Sequence, residues 1–225
     1  MSQEPGILAV WNDCDRTREA DYENWYRNEH LPERVGVPGF RFGRRYEAIG
    51  GASPRFFTYY ELDAPGILVS APYLERSNNP TPWTRKIMGE EIFRNINRTA
   101  CRQAWHIGAL RGGFVLTVRW TDVASVEAAS ASLRTVAADL IEEGVAVRAE
   151  FWQGLAEGTG TCSVEQSLRS GADQSIAGAL VIEATRDKEL AEASRFCTAS
   201  AGEGAVIGAY RFLCALDRSD MLRTH

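Results

Sequence analysis

Residues 112–120, Gly-Gly-Phe-Val-Leu-Thr-Val-Arg-Trp, lie at the midpoint of the 225-residue chain and divide it into two similar halves. The glycine pair ends one run of predicted elements, and the apolar stretch 114–120 predicts the first strand of another. On both sides the predicted order is strand, helix, strand, strand, helix, strand. This is the order of the ferredoxin-like unit, so the sequence predicts two such units in one chain.

The first half contains a predicted helix with an aromatic stripe. This helix is predicted to begin near Thr17 and to end at Leu31, because Pro32 disfavours helical geometry at the residue before it. A second helical region is predicted within 67–94, interrupted by the prolines of 78–82. The strands of this half are predicted at 6–11, 40–46, 55–62 and 99–107.

The second half repeats this order with different residues. Asp122 is predicted to cap an amphipathic helix that ends at Gly144. The stretch 154–178, rich in Gly, Ser and Thr, is predicted to be a long, mobile connection. The remaining elements are predicted strands at 114–120, 145–152, 179–183 and 205–216, and a helix at 188–197.

Each four-stranded sheet with helices on one face needs a cover for its other face. Packing the two sheets against each other supplies that cover, and a glycine pair is too short to act as a spacer between independent domains. We therefore predict an α+β protein in which repeats 1–111 and 112–225 form an intramolecular, pseudo-dimeric α/β barrel with a cavity between the sheets. Whether the chain forms a further homodimer stays open.

Composition excludes several classes of function. The net charge of −5 argues against binding of a nucleic-acid backbone, and no apolar run is long enough to cross a membrane. The N-terminus lacks the layout of a signal peptide, which favours a cytoplasmic location. The cysteines form no C-x-x-C pair, so neither a disulfide framework nor a metal site is predicted. They lie at positions 14, 101, 162, 197 and 214.

Glu29 and His30 are the most informative polar pair. By helical spacing they continue the apolar stripe of Tyr22, Trp25 and Tyr26, and polar groups on a buried stripe need partners. His30 can serve structure, by bonding a carbonyl or carboxylate near the helix end. Alternatively it serves proton transfer, for which a pKa near 6.5 is suitable.

The pattern Tyr22-x-x-Trp25-Tyr26-x-x-Glu29-His30-Leu31-Pro32, followed by Pro38-Gly39-Phe40 and Arg45-Tyr46, resembles the EthD-like family. That family belongs to the dimeric α/β-barrel superfamily, which includes metal-independent monooxygenases, polyketide cyclases, lactone isomerases, haem enzymes and proteins without known activity. The resemblance implies a site between sheet and helices and does not imply a reaction. The second half has no such motif, so one site per chain is expected.

Other candidates come from strand alternation. His106 shares a strand face with Arg98 and Arg102, and that face suits either a cavity wall or a solvated edge. Arg45 is a candidate for holding a carboxylate or enolate oxygen, and Tyr59 for donating a hydrogen bond to a developing oxyanion. In the alternative interpretation, Arg45 pairs with a surface glutamate, Glu47 or Glu61.

Trp83 follows the proline-rich stretch 78–82 and is predicted either to cover the cavity mouth or to pack into the core. In the second case Thr81 caps a helix whose first residue is Pro82. The sequence shows no phosphate loop, dinucleotide fingerprint or serine-hydrolase elbow. No cofactor is therefore predicted, haem ligation by His30 or His106 being the weaker alternative.

We predict a cofactor-independent enzyme of lyase, cyclase or isomerase type that acts by proton transfer or elimination on a small apolar carbonyl or aromatic compound. In this prediction His30 is the acid/base, and Glu29 is either its orienting partner or a neighbouring acid. The alternative is a non-catalytic protein that binds a small hydrophobic ligand. The predicted substrate-binding residues are Trp25, Tyr26, Arg45, Tyr59, Trp83 and His106.

Overall fold

A computed structural model describes residues 4–160, 162–169 and 172–221. The strands are β1 (Gly6–Cys14), β2 (Phe40–Ile49), β3 (Phe56–Leu62), β4 (Phe93–Ile107), β5 (Phe114–Trp120), β6 (Arg148–Leu155), β7 (Gly178–Ala184) and β8 (Val206–Asp217). The helices are α1 (Glu19–Trp25), α2 (Leu31–Gly36), α3 (Ala71–Asn78), α4 (Pro82–Gly89), α5 (Val123–Glu142), α6 (Val164–Ser167), α7 (Asp187–Ser200) and α8 (Arg218–Met221). The predicted α+β class is confirmed.

The strands form one closed antiparallel barrel in the order β1-β3-β2-β8-β5-β7-β6-β4. The first half contributes β4-β1-β3-β2 and the second half β8-β5-β7-β6, which is the same internal order. The long strand β4 pairs with β1 and then with β6, and β8 pairs in the same way with β5 and β2. Closure leaves no unpaired sheet edge.

Aromatic side chains fill the inside of the barrel. Trp11 stacks on Phe57 with ring centroids 4.7 Å apart, and Tyr59 lies 5.1 Å from Trp152. The predicted cavity between the sheets is therefore occupied, among the described residues, by their own side chains. The buried cluster comprises Ile7, Ala9, Trp11, Tyr46, Phe57, Tyr59, Cys101, Val115, Trp152, Ile176, Ala179, Val181 and Tyr210.

The link between the two halves is tied into one end of the barrel. Arg111 Nη1 donates to Glu150 Oε1 at 2.7 Å, to Glu183 Oε1 at 2.8 Å and to Tyr59 Oη at 3.0 Å. Both carboxylates are 1% exposed, and buried charges of this kind need such partners. The Gly112 amide also donates to Glu183 Oε2 at 2.7 Å. The midpoint of the chain is thus a packed joint.

Helices cover the outside of the barrel in two groups. α1, α2 and α4 pack on the first-half sheet, and α5 and α7 pack on the second. The connection between β6 and β7 leaves its own half and places α6 against α3 and α4. Its described part is therefore packed, although it was predicted to be mobile. Residues 161, 170 and 171 of this connection lie outside the described residues.

The sequence predicts that the helical run with the aromatic stripe ends at Leu31, because Pro32 follows. In the structure this run continues past Leu31. A wide π turn, Tyr26–His30, follows α1, and the Leu31 amide donates to the Tyr26 carbonyl five residues back. Pro32 then stands in the first turn of α2, where a missing N–H costs nothing. The run continues to Gly36.

Gly43 permits the end of the π turn to approach the sheet. A Cβ atom there would lie 2.7 Å from Leu31 Cδ1 and 2.8 Å from the Tyr60 ring. We expect Gly43→Ala to lower the free energy of unfolding by about 1–3 kcal/mol through overpacking. Gly66→Ala is the matched control, because a Cβ there meets nothing within 4 Å. Equal stability of the two variants in urea unfolding would contradict this account.

Candidate functional site

The π turn directs His30 into the space between helix and sheet. The His30 ring stacks on Trp25 with centroids 4.4 Å apart and meets Tyr26 edge-on at 5.1 Å. Tyr22 is buried on the same stripe, whereas Arg27 and Asn28 are exposed. The predicted buried stripe, with His30 on it, is confirmed.

A pocket lies beneath His30. Its volume is about 30 Å³, enough for a single water molecule. Aliphatic and aromatic side chains form one part of its wall, and three arginines with one glutamate form another. The lining residues are Leu8, Val10, Tyr26, His30, Arg34, Tyr60, Tyr73, Met88, Phe93, Arg98, Glu165 and Arg169.

The three arginines come from separate parts of the chain. Arg34 on α2 forms a buried ion pair with Glu165 of α6. Arg98 on β4 donates to the Gly158 carbonyl and to Tyr73 Oη, both at 2.9 Å. Arg169, which follows α6, donates to both carboxylate oxygens of Asp173 at 2.9 Å. The pocket is thus built by both halves of the chain.

Three buried nitrogen atoms of this pocket have no hydrogen-bond partner within the described ranges. They are His30 Nδ1, Arg34 Nη1 and Arg169 Nε. Buried donors and acceptors without partners are costly and rare in folded proteins. Their concentration around one pocket indicates a site prepared for a polar ligand.

Burial and charge fix the protonation states. Burial, together with the charge of Arg34, lowers the pKa of His30 to about 3, so the imidazole is neutral at cellular pH. Burial alone would raise the pKa of Glu165, but the charge of Arg34, its hydrogen bond and the charge of Arg169 act together against burial and hold the pKa at about 2. The ligand-free pocket therefore contains a neutral imidazole beside an ion pair.

Glu29 lies next to His30 in sequence but bonds elsewhere. Its Oε1 accepts from Thr81 Oγ1 at 2.5 Å and from Thr84 Oγ1 at 3.0 Å. Thr84 Oγ1 in turn accepts from Trp25 Nε1 at 3.1 Å. These bonds tie the π turn to α4 and fix the indole on which the imidazole stacks. Glu29 thus reaches His30 only through Trp25.

Arg45 is fully buried under α1 and does not line the pocket. It makes two hydrogen bonds to Glu23, at 2.7 and 2.6 Å, and lies 4.2 Å from the Tyr26 ring centroid. Its partner is therefore neither Glu47 nor Glu61. Strand β2 faces α1 at this point, so Glu23 on α1 is close enough to pair with Arg45.

The other predicted substrate-binding residues also lie away from the pocket. Tyr59 points into the barrel, because alternate β3 residues face opposite sides of the sheet. Trp83 packs half-buried in the first turn of α4, where Thr81 is the cap, in agreement with the core alternative. His106 is exposed where β4 pairs with β6. Of the predicted set, the structure brings together Trp25, Tyr26 and His30.

Most of the charged pocket residues were not identified from the sequence. Arg34 lies one helical turn after His30, a spacing that points to the same helix face. Arg169 and Glu165 are likewise four residues apart, but nothing in the sequence places them against α2. Among the described residues, no group of three or more histidine, cysteine, aspartate or glutamate side chains has the geometry for a metal ion. No helix in the described ranges has the length and apolar character needed to cross a bilayer.

His30 makes the fold sensitive to acid. The unfolded chain takes up a proton near pH 6.5, whereas the folded imidazole resists it down to about 3, so stability falls as the pH drops through this window. When the pH falls from 6.5 to 5, we expect the free energy of unfolding to decrease by about 2 kcal/mol less in His30→Gln than in the wild type. His106→Gln, at an exposed position, should keep the wild-type slope. Parallel slopes for His30→Gln and wild type in urea unfolding would refute the buried, neutral imidazole.

Comparison with known proteins finds similarity in fold. No family model and no curated protein matches the sequence. An anthrone oxidase-like protein superposes with a TM-score of 0.58 at 11% identity, covering 96% of this chain and 94% of its own. A proposed monooxygenase from Fusobacterium nucleatum superposes with a TM-score of 0.59 at 8% identity, and 96% of both chains is covered. A proposed chlorite dismutase superposes with a TM-score of 0.51 at 8% identity, and 99% of both chains is covered. The chain thus shares its fold with these proteins.

Proposed function

We propose that the protein is a small-molecule enzyme that transfers a proton on a carbonyl or aromatic compound in the pocket beneath His30, without a cofactor. The observation that carries this proposal is a buried, neutral imidazole with an unpartnered Nδ1 in a pocket that also contains Arg34, Arg98 and Arg169. A neutral imidazole can accept a proton, and guanidinium groups can hold the oxyanion that results.

We further infer that residues 1–111 and 112–225 are two fused ferredoxin-like repeats, and that the first is EthD-like. The identical strand order of the halves supports the first inference. The motif that runs from Tyr22 to Pro32 supports the second inference, since it occurs once and contributes Tyr26 and His30 to the pocket wall. Five free cysteines fit a reducing compartment, so the cytoplasm is the proposed location.

The chemistry divides between the imidazole and the arginines. His30 takes a proton from the carbon beside a carbonyl group, and the guanidinium groups stabilise the enolate oxygen. A pKa near 3 makes His30 a weak base in the ligand-free protein. Burial is the larger cause of this low pKa and the charge of Arg34 is the second, so proton transfer depends on how closely the substrate is held to the imidazole. Glu29 is a positioning residue, acting through Trp25.

The second candidate is a ligand-binding protein without turnover. The weakly basic imidazole favours it, because a weak base suits retention of a ligand more directly than proton transfer. The same pocket serves both candidates. They differ in whether the protein accelerates a reaction of the bound compound and whether His30 is needed for that rate.

Phenylpyruvate provides a direct test, because it combines a carboxylate, an aromatic body and an enolisable carbonyl. We expect the wild type to accelerate its keto–enol exchange, followed by absorbance, and His30→Gln to lower that rate by about 10²-fold or more with little change in KM. His106→Gln is the matched control and should keep the wild-type rate.

Equal rates for His30→Gln and the wild type would overturn a catalytic role for His30. Binding of phenylpyruvate by the wild type without any acceleration, with the same affinity in His30→Gln, would establish the binding protein instead.

A further inference from the structure

The arginines of the His30 pocket outnumber the carboxylates that pair with them. Arg34 is paired with Glu165, and Arg169 with Asp173. The described residues provide no carboxylate for Arg98, whose bonds go to a carbonyl and a phenol. A buried guanidinium with only neutral partners favours an anion in its surroundings.

Glu165 stands on the shortest helix of the pocket wall. Arg34 and Arg98 belong to α2 and β4, which are packed into the body of the protein. Glu165 belongs to the four-residue helix α6, inside the connection between β6 and β7. The exposed bond from the Val164 amide to Asn78 Oδ1, 3.1 Å long, is one of its tethers. Because α6 lies outside the barrel and packs on α3 and α4, its displacement would leave the strand pairings intact.

The space available requires such a movement. A volume of about 30 Å³ admits no organic molecule, so a ligand must displace part of the wall. Displacement of Glu165 frees a donor set on Arg34, whose Nη1 is already unpartnered. Guanidinium groups with two free donors bind carboxylates in a bidentate manner.

We propose, on the basis of the proposed function of this pocket, that its substrate or ligand is a small carboxylic acid with an apolar or aromatic body, whose carboxylate replaces that of Glu165 on Arg34. The rest of the wall fits this class: Leu8, Val10, Met88 and Phe93 provide an apolar surface beside the arginines. Glu165 is then an internal competitor that keeps the buried arginine paired until the ligand arrives. The ligand class is therefore narrower than the small apolar carbonyl or aromatic compound that the sequence predicted, because it requires a carboxylate.

Glu165→Gln tests the competition, with benzoate as the probe and benzamide as its neutral counterpart. We expect calorimetric titration to give at least a tenfold lower Kd for benzoate in Glu165→Gln than in the wild type, with no such gain for benzamide. Glu157→Gln is the matched control, because Glu157 is an exposed carboxylate on the same connection. It should bind benzoate as the wild type does.

A measurement on the wild type covers the case in which Glu165→Gln does not fold. Saturating benzoate should increase amide hydrogen exchange within residues 162–169, because α6 leaves the pocket. Unchanged or slower exchange there would overturn the proposal, as would a benzoate Kd in Glu165→Gln equal to or higher than that of the wild type.

The outcomes separate this inference from the proposed function. Benzoate has no enolisable proton, so its binding does not depend on turnover. Competition by Glu165 without phenylpyruvate exchange would leave a carboxylate-binding protein and remove the enzyme. Phenylpyruvate exchange with unaltered benzoate binding in Glu165→Gln would keep the enzyme and remove the internal competitor.

Discussion

Closure of the eight-stranded barrel is the constraint on which the rest of the structure depends. Each four-stranded half would expose two unpaired edges, and pairing β2 with β8 and β4 with β6 removes all of them. Closure also turns one face of every strand inward, where rings such as Trp11 and Trp152 fill the space. The pocket that contains His30 lies outside the barrel, between helices and sheet. The π turn and Gly43 bring His30 to such a place.

The second half of the chain completes the pocket of the first. The buried pair of Arg34 and Glu165 joins positions 131 residues apart, and Arg169 comes from the same connection as Glu165. This contribution explains how one site can belong to the whole chain although its motif lies in one half. Under the proposed displacement of Glu165, the connection between β6 and β7 controls access, because α6 of this connection carries the carboxylate that neutralises Arg34.

Sequence patterns predicted the strands, the doubled order and the buried stripe ending in His30, because periodicity and turn residues are local properties. They did not predict that the helix passes Pro32, since the π turn depends on packing against the sheet. They placed a cavity inside the barrel, because alternation does not reveal how much volume facing aromatic rings will fill. Arg34 had a local signal in its spacing from His30. Glu165 had none, since its role arises from a contact between distant segments.

The central claim is that ligand chemistry takes place beneath His30 and not inside the barrel. A crystal structure of the protein with phenylpyruvate tests it most directly. We predict the carboxylate of the ligand on Arg34, its ring against Phe93 and Met88, and Glu165 turned out of the pocket. Ligand density between the two sheets, with the pair of Arg34 and Glu165 intact, would contradict the account.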